Sequence, residues 1–187
     1  MRKKILLVAG ARPNFMKIAP VWRKMMEDRT LDPIIVHTGQ HYDYLMSQAF
    51  FEDLKLPPPD IHLGVGSGTH GEQTGKILIE MERTIIGEKP DIVIVVGDVN
   101  STIASTLSAV KLGVPTAHIE AGLRSYDRTM PEEINRLLTD AIADLLLTPS
   151  EDANENLRKE GISKDKIFLV GNVMTVSYTH LTLPTKA

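Results

Sequence analysis

Within Asp91-Ile92-Val93-Ile94-Val95-Val96-Gly97-Asp98-Val99-Asn100-Ser101-Thr102, an unbroken run of five β-branched residues stops at a glycine and a single acid. The run is too short and too β-branched for a helix and reads as a strand buried on both faces. Val99 to Thr102 then supply a turn and candidate N-caps for the next helix. Asp98 therefore sits at the C-terminal tip of a central parallel strand, the edge at which open α/β sheets bind ligands. A carboxylate there has two readings, a catalytic group or a turn and capping residue.

The same alternation extends to both sides. Upstream, Lys4 to Gly10 reads as a first buried strand, and Gly10-Ala11-Arg12-Pro13-Asn14 as a tight turn with Pro13 suited to the first turn of a helix. Phe15 to Asp28 carries a helical stripe through Ile18, Trp22, Met25 and Met26. Pro33 to Thr38 is a second strand, Leu45 to Leu54 a helix, and Pro57-Pro58-Pro59 a stiff connector. Ile61 to Leu63 is a short third strand, Gly64 to Gly71 a loop, and Glu72 to Ile86 a helix. Downstream, a helix from Ser101 to Leu112 stops at Gly113. Pro115 to Glu120 is a fifth strand, Pro131 to Asp144 a helix, and Leu145 to Thr148 a sixth strand. Glu151 to Glu160 is a helix ended by Gly161, and Ile167 to Val170 a seventh strand. Strands alternating with helices predict an α/β fold, a Rossmann-like doubly wound parallel sheet. In its common strand order the first and fourth strands are neighbours across the switch point. Arg12 and Asp98 then face each other across one crevice, with Glu120 at the tip of the next strand. The sequence shows no internal repeat.

The composition narrows the functional classes. At 187 residues the chain holds one well-cored domain, or one and a fragment. A net charge of −3 and the lack of a basic stripe argue against nucleic acid as a partner. There is no cysteine, which excludes disulfides and thiolate chemistry and fits a reducing compartment. Met1-Arg2-Lys3-Lys4 looks like a signal n-region, but the apolar stretch Ile5 to Val8 is only four residues long. No segment is long enough to span a membrane, so no membrane partner is expected and the cytoplasm is the default. After Met174 the chain turns polar and Thr-rich, without helical period. Residues 175–187 look like translated sequencing-adapter sequence, a non-native tail to be left out of fold reasoning.

Three acids stand out: Asp98, Glu120 and Glu132. Glu132 follows Thr129 by three residues, a capping-box spacing, and precedes Arg136 by four, an ion-pair spacing. Glu120 closes a buried strand and needs a partner, with Arg124 and Arg12 the candidates. Arg12 sits between a strand and a helix N-terminus, with Lys17 one turn further in, and has two readings, an anion site suited to a diphosphate or an exposed turn arginine. Gly66-Ser67-Gly68-Thr69-His70-Gly71 matches a dinucleotide glycine pattern. It follows the third strand rather than the first, and the acid about twenty residues on, Asp91, opens a strand instead of ending one, so it reads as a loop, one that could close over substrate. Among the histidines, His37 and His118 read as satisfied core groups, whereas His41 and His70 lie on loops within reach of a ligand. None has a recognised metal spacing, and no metal or cofactor is expected.

In order along the chain come Gly10-Ala-Arg-Pro-Asn-Phe-Met-Lys-Ile-Ala-Pro20, Thr38-Gly-Gln-His41, Val96-Gly-Asp98, His118-Ile-Glu-Ala-Gly-Leu-Arg124, Met130-Pro-Glu-Glu-Ile-Asn-Arg136 and Val170-Gly-Asn172. This set resembles the N-terminal half of a non-hydrolysing UDP-N-acetylglucosamine 2-epimerase. The resemblance covers about residues 4 to 174. It implies a glycosyltransferase-B-like architecture of two Rossmann-like halves with the active site between them, residues 1–174 forming the first half and the C-terminal half being absent. It also implies reversible inversion at C2 of the sugar by elimination and re-addition of UDP, and a homodimer in the full-length protein. By motif match the catalytic acids are Asp98, Glu120 and Glu132. Arg12, Lys17, His41 and Arg136 fall at substrate-binding positions for a UDP-sugar. The second half of the family, with its catalytic histidine and most uridine and diphosphate contacts, has no counterpart here, so little activity is expected of this chain alone.

Several other readings remain. A hydrolysing relative would release free N-acetylmannosamine and UDP, and another relative epimerises a UDP-diacetamido-uronic acid. A glycosyltransferase of the same architecture would need an acceptor and leaves the three acids without a role. A non-catalytic nucleotide-sugar-binding module would lose no chemistry on substitution of Asp98.

Overall fold

The computed structural model describes residues 2–39 and 48–174. Seven strands alternate with six helices: β1 (Lys3–Ala9), α1 (Arg12–Met26), β2 (Leu31–His37), α2 (Gln48–Asp53), β3 (Ile61–His62), α3 (His70–Glu88), β4 (Ile92–Val96), α4 (Asn100–Lys111), β5 (Thr116–Ile119), α5 (Pro131–Ile142), β6 (Leu145–Thr148), α6 (Glu151–Lys159) and β7 (Ile167–Leu169). All strand pairs are parallel, and the sheet order is β3-β2-β1-β4-β5-β6-β7. The order reverses between β1 and β4, which pair through Ile5–Ile92, Leu6–Val93 and Leu7–Ile94. The expected doubly wound sheet and its switch point are therefore present.

Residue alternation along the central strands explains their unbroken apolar character. Ile5, Leu7 and Ala9 of β1 and Ile94 and Val96 of β4 pack on one face against Phe15, Ile18 and Ala19 of α1 and Phe50 and Phe51 of α2. Leu6 and Val8 of β1 and Val93 and Val95 of β4 pack on the other against Ile77, Met81 and Ile85 of α3 and Ala104 and Ala109 of α4. Both faces are covered, so neither can be polar. A smaller cluster of Ala121, Ala143, Leu146 and Leu157 closes the β6 side.

Two helix starts differ from expectation. α3 begins at His70, two residues earlier than its apolar period suggests, because Thr69 forms a capping box. Its hydroxyl accepts from the Glu72 N–H at 3.3 Å, and the Glu72 carboxylate accepts from the Thr69 N–H at 2.9 Å. The glycine-rich stretch thus ends in a capped helix. At α5 the expected box between Thr129 and Glu132 is absent: the N-cap is Met130, Pro131 occupies the first turn, and the Thr129 hydroxyl donates to Asp127 at 2.6 Å. Residues 175–187 and His41 lie outside the described residues.

Candidate functional site

The site is built where β4 and β5 end beside α1. Val96 pairs with Ile119, which brings Gly97 level with Glu120. Gly97 has φ +72° and carries no side chain into the space between its neighbours. A Cβ there would lie 3.4 Å from the Asn14 amide nitrogen, 3.6 Å from Lys17 Nζ and 3.8 Å from Glu120 Oε2. Gly97 is the floor over which these three groups meet.

Glu120 is a non-glycine residue with φ +68°, and its carboxylate accepts from Lys17 Nζ at 2.5 Å, both side chains being largely buried. The expected arginine partners are not the ones found. Arg124 turns away to Asp140 and Glu160, and the Arg12 guanidinium lies 4.6 Å over the Phe50 ring, a cation–π contact. Lys17 wins because one helical turn carries it from the start of α1 to the β5 tip. Arg12 has no carboxylate partner among the described residues.

Asp98 is held on three sides. Its carboxylate pairs with Arg136, its carbonyl accepts from the Asn135 amide at 2.9 Å, and the preceding carbonyl, that of Gly97, lies 2.7 Å from His118 Nε2. The second arm of Arg136 reaches Glu133 at 3.0 Å rather than Glu132, so the anticipated Glu132–Arg136 pair is not made. Glu133 is buried and accepts the N–H groups of Ser125 and Tyr126 at 3.0 and 3.1 Å. Burial opposes its charge, but these N–H groups and Arg136 outweigh it and hold the carboxyl below the usual carboxylate range. Glu133 thus fixes the loop before α5 and, through Arg136, the Asp98 side chain.

Glu132 faces an adjoining cavity of about 300 Å³ lined also by Ser67, Gly68, His70, Val99, Asn100 and Asn135. It has no hydrogen-bond or ion-pair partner among the described residues. Within the lining, Asn100 donates to Gln73 at 2.9 Å, contacts His70 at 3.1 Å and accepts from Asn135 at 3.3 Å. His70 is therefore a cavity wall at the start of α3 rather than a loop residue. The structure brings Asp98, Glu120, Lys17 and Arg136 together around the β4 and β5 ends, with Glu132 in the cavity alongside. Among the described residues no group of three or more His, Asp or Glu is arranged to hold a metal ion.

Three residues were not legible as part of this arrangement. Asn14, buried at the third position of α1, accepts from the N–H groups of Gly10 and Ala11 at 3.1 and 2.9 Å and donates to the Val96 carbonyl at 3.3 Å. It ties the β1 turn to the end of β4, and its place in a turn beside Pro13 was the available signal. Glu133 and Asp140 are buried acids on α5, which its strongly amphipathic period would have placed inward. His118 is fully buried and has both ring nitrogens in contact, as read for a satisfied core group. His37 is also buried, but its Nε2 finds no partner among the described residues.

Residues 23–185 match the family model described as UDP-N-acetylglucosamine 2-epimerase. A Methanococcus maripaludis protein named UDP-N-acetylglucosamine 2-epimerase homolog is 53% identical over 171 residues, covering 91% of this chain and 47% of that protein. A Pseudomonas aeruginosa UDP-2,3-diacetamido-2,3-dideoxy-D-glucuronate 2-epimerase is 53% identical over 173 residues, covering 91% of this chain and 49% of that protein. The crystal structure of the Methanocaldococcus jannaschii UDP-GlcNAc 2-epimerase in complex with UDP-GlcNAc and UDP superposes with a TM-score of 0.91 at 50% identity, covering 95% of this chain and 49% of that one. The chain spans about half the length of the relatives it matches.

Proposed function

This chain belongs to the UDP-N-acetylglucosamine 2-epimerase family, and we propose that it is the acid-bearing half of an enzyme that inverts C2 of a UDP-linked 2-acetamido sugar. In the non-hydrolysing form of that reaction a base removes the C2 proton. The bond from C1 to the diphosphate oxygen breaks, its electrons leave with UDP, and a C1–C2 double bond forms. A proton then returns to C2 on the opposite face as UDP adds back to C1. The chemistry needs groups that take and return a proton and charge stabilisation at the departing diphosphate.

The observation that carries this reading is that Asp98 and Glu120 stand at the ends of neighbouring strands on either side of Gly97, each already paired with a cation. We assign the acid roles to Asp98, Glu120 and Glu132. Lys17 and Arg136 orient the first two, and Arg12, free of any acid among the described residues, is offered to the diphosphate. Solvent exchange tests the reading in the full-length parent. In deuterium oxide, both C2 epimers of the UDP-sugar should acquire deuterium at C2, and Asp98→Asn should abolish the exchange. Exchange that survives this substitution, or epimers that stay unlabelled, would overturn the assignment.

A second substrate is favoured by one finding: the Pseudomonas aeruginosa diacetamido-glucuronate epimerase is as similar to this chain as the Methanococcus maripaludis homolog. Assaying both UDP-sugars side by side separates the two, and release of free sugar would identify the hydrolysing form. No helix among the described residues is long and apolar enough to cross a membrane. The reading of residues 175–187 as foreign rests on composition, while the family match runs to residue 185. The natural coding sequence beyond Met174 tests it.

A further inference from the structure

We propose that Asp140 is a positioning residue shared by the two acids of the rim: one buried carboxylate on α5 sets both the turn that carries Asp98 and the turn that carries Glu120. This rests on the reading of Asp98 and Glu120 as reacting acids. Asp140 is 1% exposed. Its Oδ1 lies 2.6 Å from His118 Nδ1, and the other ring nitrogen of His118 lies 2.7 Å from the Gly97 carbonyl oxygen. That carbonyl belongs to the peptide group shared with the Asp98 N–H, so holding it sets the direction in which Asp98 leaves β4. Oδ2 accepts from the Gly122 N–H at 3.0 Å, two residues past Glu120, and from Arg124 Nη1 at 2.8 Å. The Glu120 and Ala121 N–H groups both go to the Leu147 carbonyl, at 3.0 and 3.2 Å. Asp140 therefore closes the far side of a turn whose near side hangs from β6. A left-handed conformation at a residue such as Glu120 persists only where its surroundings over-determine it.

The hydrogen-bond inventory fixes the form of the ring. A carbonyl oxygen only accepts, so Nε2 of His118 donates to Gly97. Asp140 faces the ring, the Gly122 N–H and the Arg124 guanidinium. Burial opposes its charge, but His118 and Arg124 outweigh that and hold its carboxyl below the usual carboxylate range. One proton lies between Nδ1 and Asp140 and another between Nε2 and the Gly97 carbonyl, so the ring is clamped between the two. Arg124, anchored on its far side by Glu160 through bonds of 2.7 and 2.6 Å, keeps the carboxylate from turning.

The ring nitrogens of His118 can be followed by ¹⁵N NMR in the chain itself, whatever its activity. The Nε2 nitrogen should carry a proton hydrogen-bonded to the Gly97 carbonyl, and an unprotonated Nε2 would overturn the clamp. In Asp140→Ala the carboxyl carbon resonances of both Asp98 and Glu120 should move, while that of Asp91, paired with Lys3 at the opposite end of the sheet, stays in place. If both acids keep their resonances while only the melting temperature falls, the role is merely structural. Should the alanine variant not fold, Asp140→Asn supplies the same comparison. It should shift the His118 ring nitrogens and the Gly97 and Gly122 amides, and unchanged amides would refute the proposal. In the full-length parent, Asp140→Ala should lower kcat roughly tenfold to a hundredfold with little change in KM, and Asp140→Asn should recover part of the loss. A parent that acts on another substrate leaves the NMR results standing, which separates failure of this inference from failure of the substrate reading.

Discussion

Gly97 and Gly122 show how one backbone conformation acquires different weight from its surroundings. Both have positive φ, +72° and +81°. A methyl group on Gly97 would make ordinary contacts, the nearest 3.4 Å away, whereas on Gly122 it would meet the Ala153 carbonyl oxygen at 2.5 Å. Gly97→Ala should therefore cost about 1–2 kcal/mol, the strain of a left-handed L-residue. Gly122→Ala should cost ~3 kcal/mol or more, because backbone must move. Urea unfolding of the two variants checks the order, and equal costs would contradict it. His37 supplies a pH-dependent case. Burial, with His62 adjacent, lowers its pKa from 6.5 to about 4. Between those values the unfolded chain holds a proton that the folded chain refuses, so stability falls as pH drops through the window, by up to ~3 kcal/mol. Comparing ΔG at pH 7.5 and pH 5 should show a steeper loss in the parent than in His37→Phe, and parallel losses would refute the assignment. Asp98 was legible because a strand end is a sequence-local feature. The partner of Glu120 was not, because the choice among Lys17, Arg12 and Arg124 depends on strand register and helix rotation, which no single segment encodes.

Elements were more legible than residues, because burial on both faces writes itself into continuous apolar runs and amphipathic stripes. Their starts were less so, and two identical spacings show why. Thr69 to Glu72 and Thr129 to Glu132 both spell a capping box, yet only the first forms one. At α5, Pro131 enters the first turn and moves the N-cap to Met130, while Asp127 takes the Thr129 hydroxyl. The letters alone cannot rank these competitors. Thr69→Ala should cost about 1 kcal/mol through loss of the α3 cap. Thr129→Ala, which breaks only an exposed turn contact, should cost roughly half that or less. Thermal melts of the two variants decide the matter, and an equal or larger loss at Thr129 would place the cap at the wrong helix.

At the scale of the whole molecule, the described residues form a seven-stranded sheet and leave large apolar side chains exposed beside it. β7 ends the sheet, and Phe168, Leu169 and Val170 are 46%, 50% and 50% exposed just before the last described residue. Further apolar side chains, Ile79 and Ile86 on α3 and Val110 and Leu112 at the end of α4, lie open on another face. Exposed large apolar side chains mark places where another chain or another part of the same chain can pack, and an edge strand adds unpaired backbone groups. The relatives are about twice as long, and the reaction proposed above needs a diphosphate to be held while it leaves and returns. Arg12, without a carboxylate partner among the described residues, is available to it. The chain alone should therefore give no measurable interconversion of UDP-sugar epimers, followed by NMR of the anomeric protons, and should self-associate in light scattering. Turnover by the isolated chain would mean that the acids of this rim act without a second half. A monodisperse monomer would mean that the exposed strand and helix faces are content with water.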